Sequence, residues 1–127
     1  WKQAEIRPYI SNMVEQFAKT DLIICRAGAT TCAELAAAGK AAIMIPLPTA
    51  ADDHQRKNAE ALEKAGAAKM ILQRDLSGES LANEILMLAN SPEKIGEMER
   101  SAKKLARKDA AEVTVNIIED LARSKKN

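Results

Sequence analysis

Three short apolar runs, each unbroken and each followed by a helical stretch, constrain this chain more than any other feature. Leu22–Cys25, Ala41–Pro46 and Ala68–Leu72 are apolar at nearly every position rather than at alternate ones. Strands of that kind are buried on both faces, as in a parallel sheet covered by helices on both sides. Ala4–Ile10 is also β-biased, although Pro8, with no N–H to donate, confines it to an edge or a strand end. The expected fold class is therefore α/β, with about four strands and a helical C-terminal third.

The helices are marked by their ends. Asn12 can cap a helix over Met13–Lys19. Thr31–Ala38 is helical by propensity and Gly39 stops it. Asp53–Lys64 is amphipathic, with Asp52 or Asp53 as its cap, and ends near Gly66. Ser77 or Ser80 opens a helix through Leu88. Ser91-Pro92-Glu93 opens another that runs to about Arg107. Asp109 caps the last, which carries Val113, Ile117 and Leu121 at i, i+4 and i+8.

Composition narrows the function classes. The chain has 127 residues, enough for one domain, residues 1–127, with one core. Nineteen Lys and Arg against 18 Asp and Glu leave a formal charge of +1, which argues against a nucleic-acid partner. From Lys94 to Lys126 nine basic residues interleave with six acids, the pattern of a solvated face. No apolar run approaches the ~18 residues of a membrane span. Two cysteines make no disulfide framework and read as small core residues in a reducing compartment. One histidine and two cysteines without ligand spacing give no expected metal site. Residue 1 is Trp, not Met, so the chain reads as a piece of something longer.

In parallel sheets ligands bind outside the carboxyl ends of the strands. The loop Cys25-Arg26-Ala27-Gly28-Ala29-Thr30-Thr31 puts a glycine straight after a buried strand and before a helix start. A glycine there lets the backbone turn sharply and approach a ligand, and free N–H groups at a helix start suit a phosphate. An ordinary β–α turn explains the same residues. Thr31-Cys32-Ala33-Glu34 fits a capping box, in which Glu34 reaches back to the Thr31 N–H. A carboxylate there could equally accept hydrogen bonds from the vicinal hydroxyls of a sugar, and spacing does not separate the two. The loop from Pro46 to Asn58 gathers Asp52, Asp53, His54, Gln55 and Asn58 at a helix start. Polar amides and an imidazole match sugar hydroxyls, which must each be paired when buried. A capped, solvated helix start is the plain alternative. No Ser or Cys nucleophile has a base beside it.

Taken together, the segments Cys25–Gly39, Ile45-Pro46-Leu47-Pro48 and Asp53-His54-Gln55-x-x-Asn58-Ala59 resemble the bacterial MurG family. These are the UDP-N-acetylglucosamine transferases that convert lipid I to lipid II in peptidoglycan synthesis. The resemblance covers the chain from Ile6-Arg7-Pro8-Tyr9-Ile10 to Asp109-Ala110-Ala111-Glu112. Lys40-Ala41 departs from it, standing where the family often has a proline before the strand.

The resemblance implies a Rossmann-like parallel sheet, part of the C-terminal, donor-binding domain of a two-domain GT-B fold. It implies that the N-terminal domain, with the lipid I site and the general base, is absent. It assigns Ile10 and Met13 to uracil, Gly28, Ala29, Thr30 and Thr31 to the nucleotide and diphosphate, and Glu34 to the ribose. His54, Gln55 and Asn58 fall to the N-acetylglucosamine. No catalytic residue and no metal or other cofactor is implied; the donor substrate is UDP-N-acetylglucosamine. The isolated chain is expected to be inactive. The full-length protein is expected at the cytoplasmic face of the bacterial inner membrane. In the family's sheet the strand at Ala4–Ile10 is not adjacent to the next one, so exposed sheet edges could drive homodimerisation. Two other readings stand beside this one: a self-associating scaffold that binds no nucleotide, and an enzyme of another class such as a nucleotide-sugar epimerase.

Overall fold

The middle apolar run becomes the middle strand. In the computed structural model, which describes residues 3–124, β2 (Ala42–Met44) is buried at every position. It pairs in parallel with β1 (Ile23–Cys25) on one side and β3 (Ala68–Met70) on the other. Ile43 lies opposite Ile24 in one pairing and Lys69 in the other.

The strand period of two divides the core. Ala42 and Met44 join Ala27, Leu35, Ala59 and Ala68 on one face. There α2 (Ala29–Ala38) and α3 (His54–Lys64) supply Leu35 and Ala59. Ala41, Ile43 and Ile45 join Ile71, Leu88 and Met98 on the other. There α4 (Gly78–Ala89) and α5 (Pro92–Leu105) supply Leu88 and Met98. Leu35, Ile43, Met44 and Leu88 are the largest fully buried side chains. Burial of each contributes about 1.5–3 kcal/mol.

The described sheet has three strands, not about four. Ala4–Ile10 is irregular, with Ile6 94% and Tyr9 81% exposed. Its β-bias finds no neighbouring strand among the described residues, and Pro8 offers no N–H to pair. The chain instead enters α1 (Met13–Lys19), where Asn12 caps as expected by accepting from the Glu15 N–H. Trp1, Lys2 and the end of the basic run at Lys125 and Lys126 lie outside the described residues.

Two further helix starts differ from expectation. α2 begins at Ala29 with Gly28 as its N-cap, so Thr31 lies within the first turn and caps nothing. α3 begins at His54 behind a 3-10 turn over Ala51–Asp53, in which Asp52 and Asp53 take φ of 50° and 55°. Asp53 occupies the N-cap of α3, but its side chain makes no cap hydrogen bond.

Of the two candidate serines, Ser77 caps α4 and Ser80 reciprocates in a capping box. At the end of α2, Gly39 turns left-handed (φ 65°). The Lys103 side chain of α5 lies where a Cβ on Gly39 would be. Lys40, the residue that departs from the family pattern, pairs with Glu99 of α5 at 3.1 Å. These contacts pin the end of α2 to α5.

The last helix, α6 (Ala110–Ser124), keeps its expected apolar stripe but buries no residue, and Ile117 is 54% exposed. Among the described residues no helix is long and apolar enough to cross a membrane.

Candidate functional site

The carboxyl ends of β1, β2 and β3 open on one edge of the sheet, and side chains stitch their loops together there. After β1 the chain passes through Arg26 and Ala27 to Gly28, and the first intrahelical bond of α2 is Cys32 N–H to the Gly28 carbonyl. The N–H groups of Ala29, Thr30 and Thr31 therefore have no partner within the helix. They face outward at the positive end of its dipole.

Gly28 has φ −64°, a conformation open to any residue, so the sharp turn is not what calls for glycine. A Cβ there would meet only Thr31 Oγ1, at 3.9 Å. The space above Gly28 is open.

Glu34 lies in the second turn of α2, exposed, with no hydrogen bond or ion pair to another described residue. The capping-box reading of Thr31 and Glu34 is thereby corrected: the helix starts three residues too early for it. Glu34 instead lines a cleft of about 210 Å3 between α1 and α2, with Met13, Val14 and Phe17 opposite. Met13 and Glu34 thus share one opening. Ile10 does not join them; it lines a separate surface hollow with Glu5, Ile6, Arg7 and Gln16.

Gln55 and Asn58 are partly buried and reach back from α3 to the loop after β1. Gln55 Oε1 accepts from the Ala27 N–H at 3.2 Å and from the Leu47 N–H at 3.0 Å. Asn58 Nδ2 donates to the Ala27 carbonyl at 3.0 Å. His54 is exposed, and its Nδ1 lies 2.6 Å from the Ala51 carbonyl. A carbonyl only accepts, so Nδ1 carries the hydrogen and Nε2 is the acceptor of the neutral ring.

Two residues escaped the sequence reading. Arg26 Nη1 donates to Gln73 Oε1 at 2.8 Å and to the Ile45 carbonyl at 3.1 Å, with the Pro46 carbonyl at 3.5 Å. It joins the ends of all three strands. A charged residue placed directly after a buried apolar run was the available signal. Beside it, Pro46, Leu47, Pro48, Asp53, Arg56, Leu72, Gln73 and Arg74 line a second cleft of about 350 Å3. None of the expected site residues lines it.

The cysteines behave as core groups, both packed against the α2–α3 face of the sheet. Burial, with the neighbouring Cys32 second, pushes the Cys25 thiol up to about 11. Burial also raises Cys32. Neither is a nucleophile near neutral pH. Among the described residues no cluster of His, Cys, Asp and Glu could hold a metal ion.

This geometry can be set against known proteins. The model of the glycosyltransferase family 28 C-terminal domain matches residues 2–114. A UDP-N-acetylglucosamine–N-acetylmuramyl-(pentapeptide) pyrophosphoryl-undecaprenol N-acetylglucosamine transferase from Geotalea uraniireducens is 55% identical over 113 residues, 89% of this chain and 31% of that protein. The namesake from Geotalea daltonii is 51% identical over the same share of each chain. The crystal structure of Acinetobacter baumannii MurG superposes with a TM-score of 0.84 at 39% identity, over 91% of this chain and 33% of that one. The chain spans about a third of the length of these relatives.

Proposed function

The chain belongs to the glycosyltransferase family 28 C-terminal domain family, and from that premise we propose that it is the donor-binding part of an inverting glycosyltransferase. The full-length protein would transfer N-acetylglucosamine from UDP-N-acetylglucosamine to lipid I, giving lipid II for peptidoglycan. In this reading residues 1–127 form one partial donor domain. The N-terminal domain, elsewhere in the full-length protein, brings lipid I and the general base. The full-length protein works peripherally at the cytoplasmic face of the bacterial inner membrane, with no metal or other cofactor.

One observation carries the reading. An exposed, unbonded carboxylate, Glu34, shares a cleft with Met13, one turn from three unpartnered N–H groups at the start of α2. That arrangement offers an apolar wall to a base, an acceptor to ribose hydroxyls and donors to a diphosphate, in the order a nucleotide presents them. Ile10, three residues before Met13 but facing another hollow, would reach uracil only through its main chain. Gly28 leaves open the space the diphosphate needs, and His54, Gln55 and Asn58 border the sugar.

The chemistry asks little of this chain. An acceptor hydroxyl attacks the anomeric carbon as the bond to the diphosphate oxygen breaks, and that oxygen takes the electron pair. Ala29, Thr30 and Thr31 N–H groups and the α2 dipole stabilise the charge that develops there. The isolated chain binds donor but does not turn it over.

Titration of UDP and then UDP-N-acetylglucosamine into isotopically labelled protein tests this. Amide shifts should concentrate at Gly28–Glu34, and the sugar should add shifts near Gln55. Silence at Gly28–Glu34 at millimolar UDP would leave the scaffold reading standing. β1 gives that reading one support: it lies at an edge of the sheet formed by the described residues, with Ile24 44% exposed, where a second copy would pair.

A further inference from the structure

The cleft of about 350 Å3 beside Arg26 takes no part in donor binding as read above, yet its walls are firmly built. Pro46, Leu47 and Pro48 form one wall on the exit from β2, and Leu72 stands on the exit from β3. Arg26 Nη1 fastens the first exit by the Ile45 carbonyl at 3.1 Å and the second by Gln73 Oε1 at 2.8 Å. Gln55 Oε1 holds the Leu47 N–H at 3.0 Å, and the two prolines stiffen the same segment. A pre-formed cleft with mostly apolar walls and a few placed polar groups is the common form of a ligand site.

The charged groups lining it are Arg56 and Arg74 against Asp53, a cationic balance. Each guanidinium is engaged through Nε: Arg56 with Glu60 at 2.8 Å and Asp53 at 3.4 Å, Arg74 with Asp75 at 3.6 Å. Their Nη groups make no hydrogen bond to another described residue. Both side chains are at least half exposed, and exposed pairs of this kind are weak. A phosphate, which matches the guanidinium fork with two oxygens, competes well for such groups.

The strand order says which ligand. An inverting displacement needs the attacking hydroxyl opposite the leaving oxygen. The diphosphate donors stand after β1, and the side chains that border the sugar stand after β2. With the order β1-β2-β3, the line from the leaving oxygen through the sugar runs on toward the loop after β3. Two strand spacings, about 10 Å, separate the first loop from the third, which is room for one sugar ring and the attacking group. We propose that this cleft is the acceptor side of the site: it takes a lipid-linked sugar diphosphate, whose phosphates meet the Nη groups of Arg56 and Arg74. The proposal rests on the donor-binding reading and adds where this domain receives the acceptor.

Two measurements test it. In the full-length protein, Arg56→Gln combined with Arg74→Gln removes both charges from exposed positions. With a short-chain lipid I analogue as acceptor, its KM should rise about tenfold or more, while the KM for UDP-N-acetylglucosamine and the melting temperature match the wild type. In the 127-residue chain saturated with UDP, sodium pyrophosphate should move the amides of Arg56 and of Leu72–Arg74. The doubly substituted chain should lose that response and keep its response to UDP.

An unchanged acceptor KM in the folded double variant would overturn the proposal. So would an equal rise in the acceptor and donor KM values, which would assign the arginines a purely structural role. Pyrophosphate that leaves Arg56 and Leu72–Arg74 unmoved in the UDP-saturated wild type would also overturn it, a test that needs no variant to fold. Either result leaves donor binding standing. If UDP itself fails to bind the wild-type chain, the donor-binding reading fails first and takes this one with it.

Discussion

Glu34→Ala separates two physical accounts that the sequence leaves equal. The helix around it starts at Ala29, so Glu34 lies beyond the first turn and caps nothing. The dipole's pull on a carboxylate fades past that turn. Alanine is the better helix former by a few tenths of a kcal/mol. Those terms nearly cancel, and stability should change by less than about 0.5 kcal/mol, or about 2 °C in melting temperature. Had Glu34 closed a capping box with Thr31, its removal would have cost about 0.5–2 kcal/mol. Binding should respond differently. A hydrogen bond from ribose to a charged carboxylate contributes about 1.5–3 kcal/mol, so losing one weakens UDP about 10- to 150-fold. Circular dichroism melts read the first quantity and amide-shift titration with UDP reads the second. A variant that melts more than about 4 °C lower yet binds UDP unchanged would refute the argument.

Three other outcomes follow from the geometry. Gly39→Ala forces a side chain into the left-handed region and against Lys103; it should cost roughly 1–2 kcal/mol in urea unfolding, and an unchanged midpoint would contradict the packing described. Cys25, held from 9.0 up to about 11 chiefly by burial, keeps its proton longer when folded. Its contribution is complete below about pH 9 and is lost as pH rises through about 11; unfolding of Cys25→Ala should show a shallower fall across that window, and parallel curves would refute it. Arg26→Met removes the bonds to Ile45 and Gln73; hydrogen exchange at the Ala50 and Asp75 amides should quicken roughly 2- to 12-fold, and unaltered rates would show that the guanidinium holds nothing.

The sheet was legible because strands buried on both faces must be apolar throughout, and Leu22–Cys25, Ala41–Pro46 and Ala68–Leu72 each contain one observed strand. Ala4–Ile10 carries similar propensity but is irregular. Propensity is local and pairing is not, and no described strand lies beside it. The Thr31–Glu34 signature misled for a related reason. Where α2 starts depends on where β1 releases the chain, at Gly28, and not on a four-residue match. Met13 and Glu34 were each readable as residue types, yet their meeting across the α1–α2 cleft is tertiary. The same holds for Gln55 and Asn58, whose partner Ala27 lies 28 and 31 residues away.

The stitching at the strand ends also decides where an anion can go. Loops at the carboxyl edge of a parallel sheet carry backbone groups that the ladder no longer pairs. Here side chains take them one by one. Gln55 satisfies the N–H groups of Ala27 and Leu47, Asn58 the carbonyl of Ala27, and Arg26 the carbonyl of Ile45. Among the groups those side chains leave free are the N–H groups of Ala29, Thr30 and Thr31, grouped on one turn at the positive end of α2. A diphosphate would therefore find its donors already gathered and the neighbouring loops already held. Ordering costs that weaken binding to mobile loops would be small. Under the proposed reading the side chains that border the sugar also hold the loop leading to the diphosphate, so a substitution that breaks an Ala27 anchor, such as Asn58→Leu, should weaken UDP in an amide-shift titration although the bond it removes is to Ala27 and not to the α2 N–H groups.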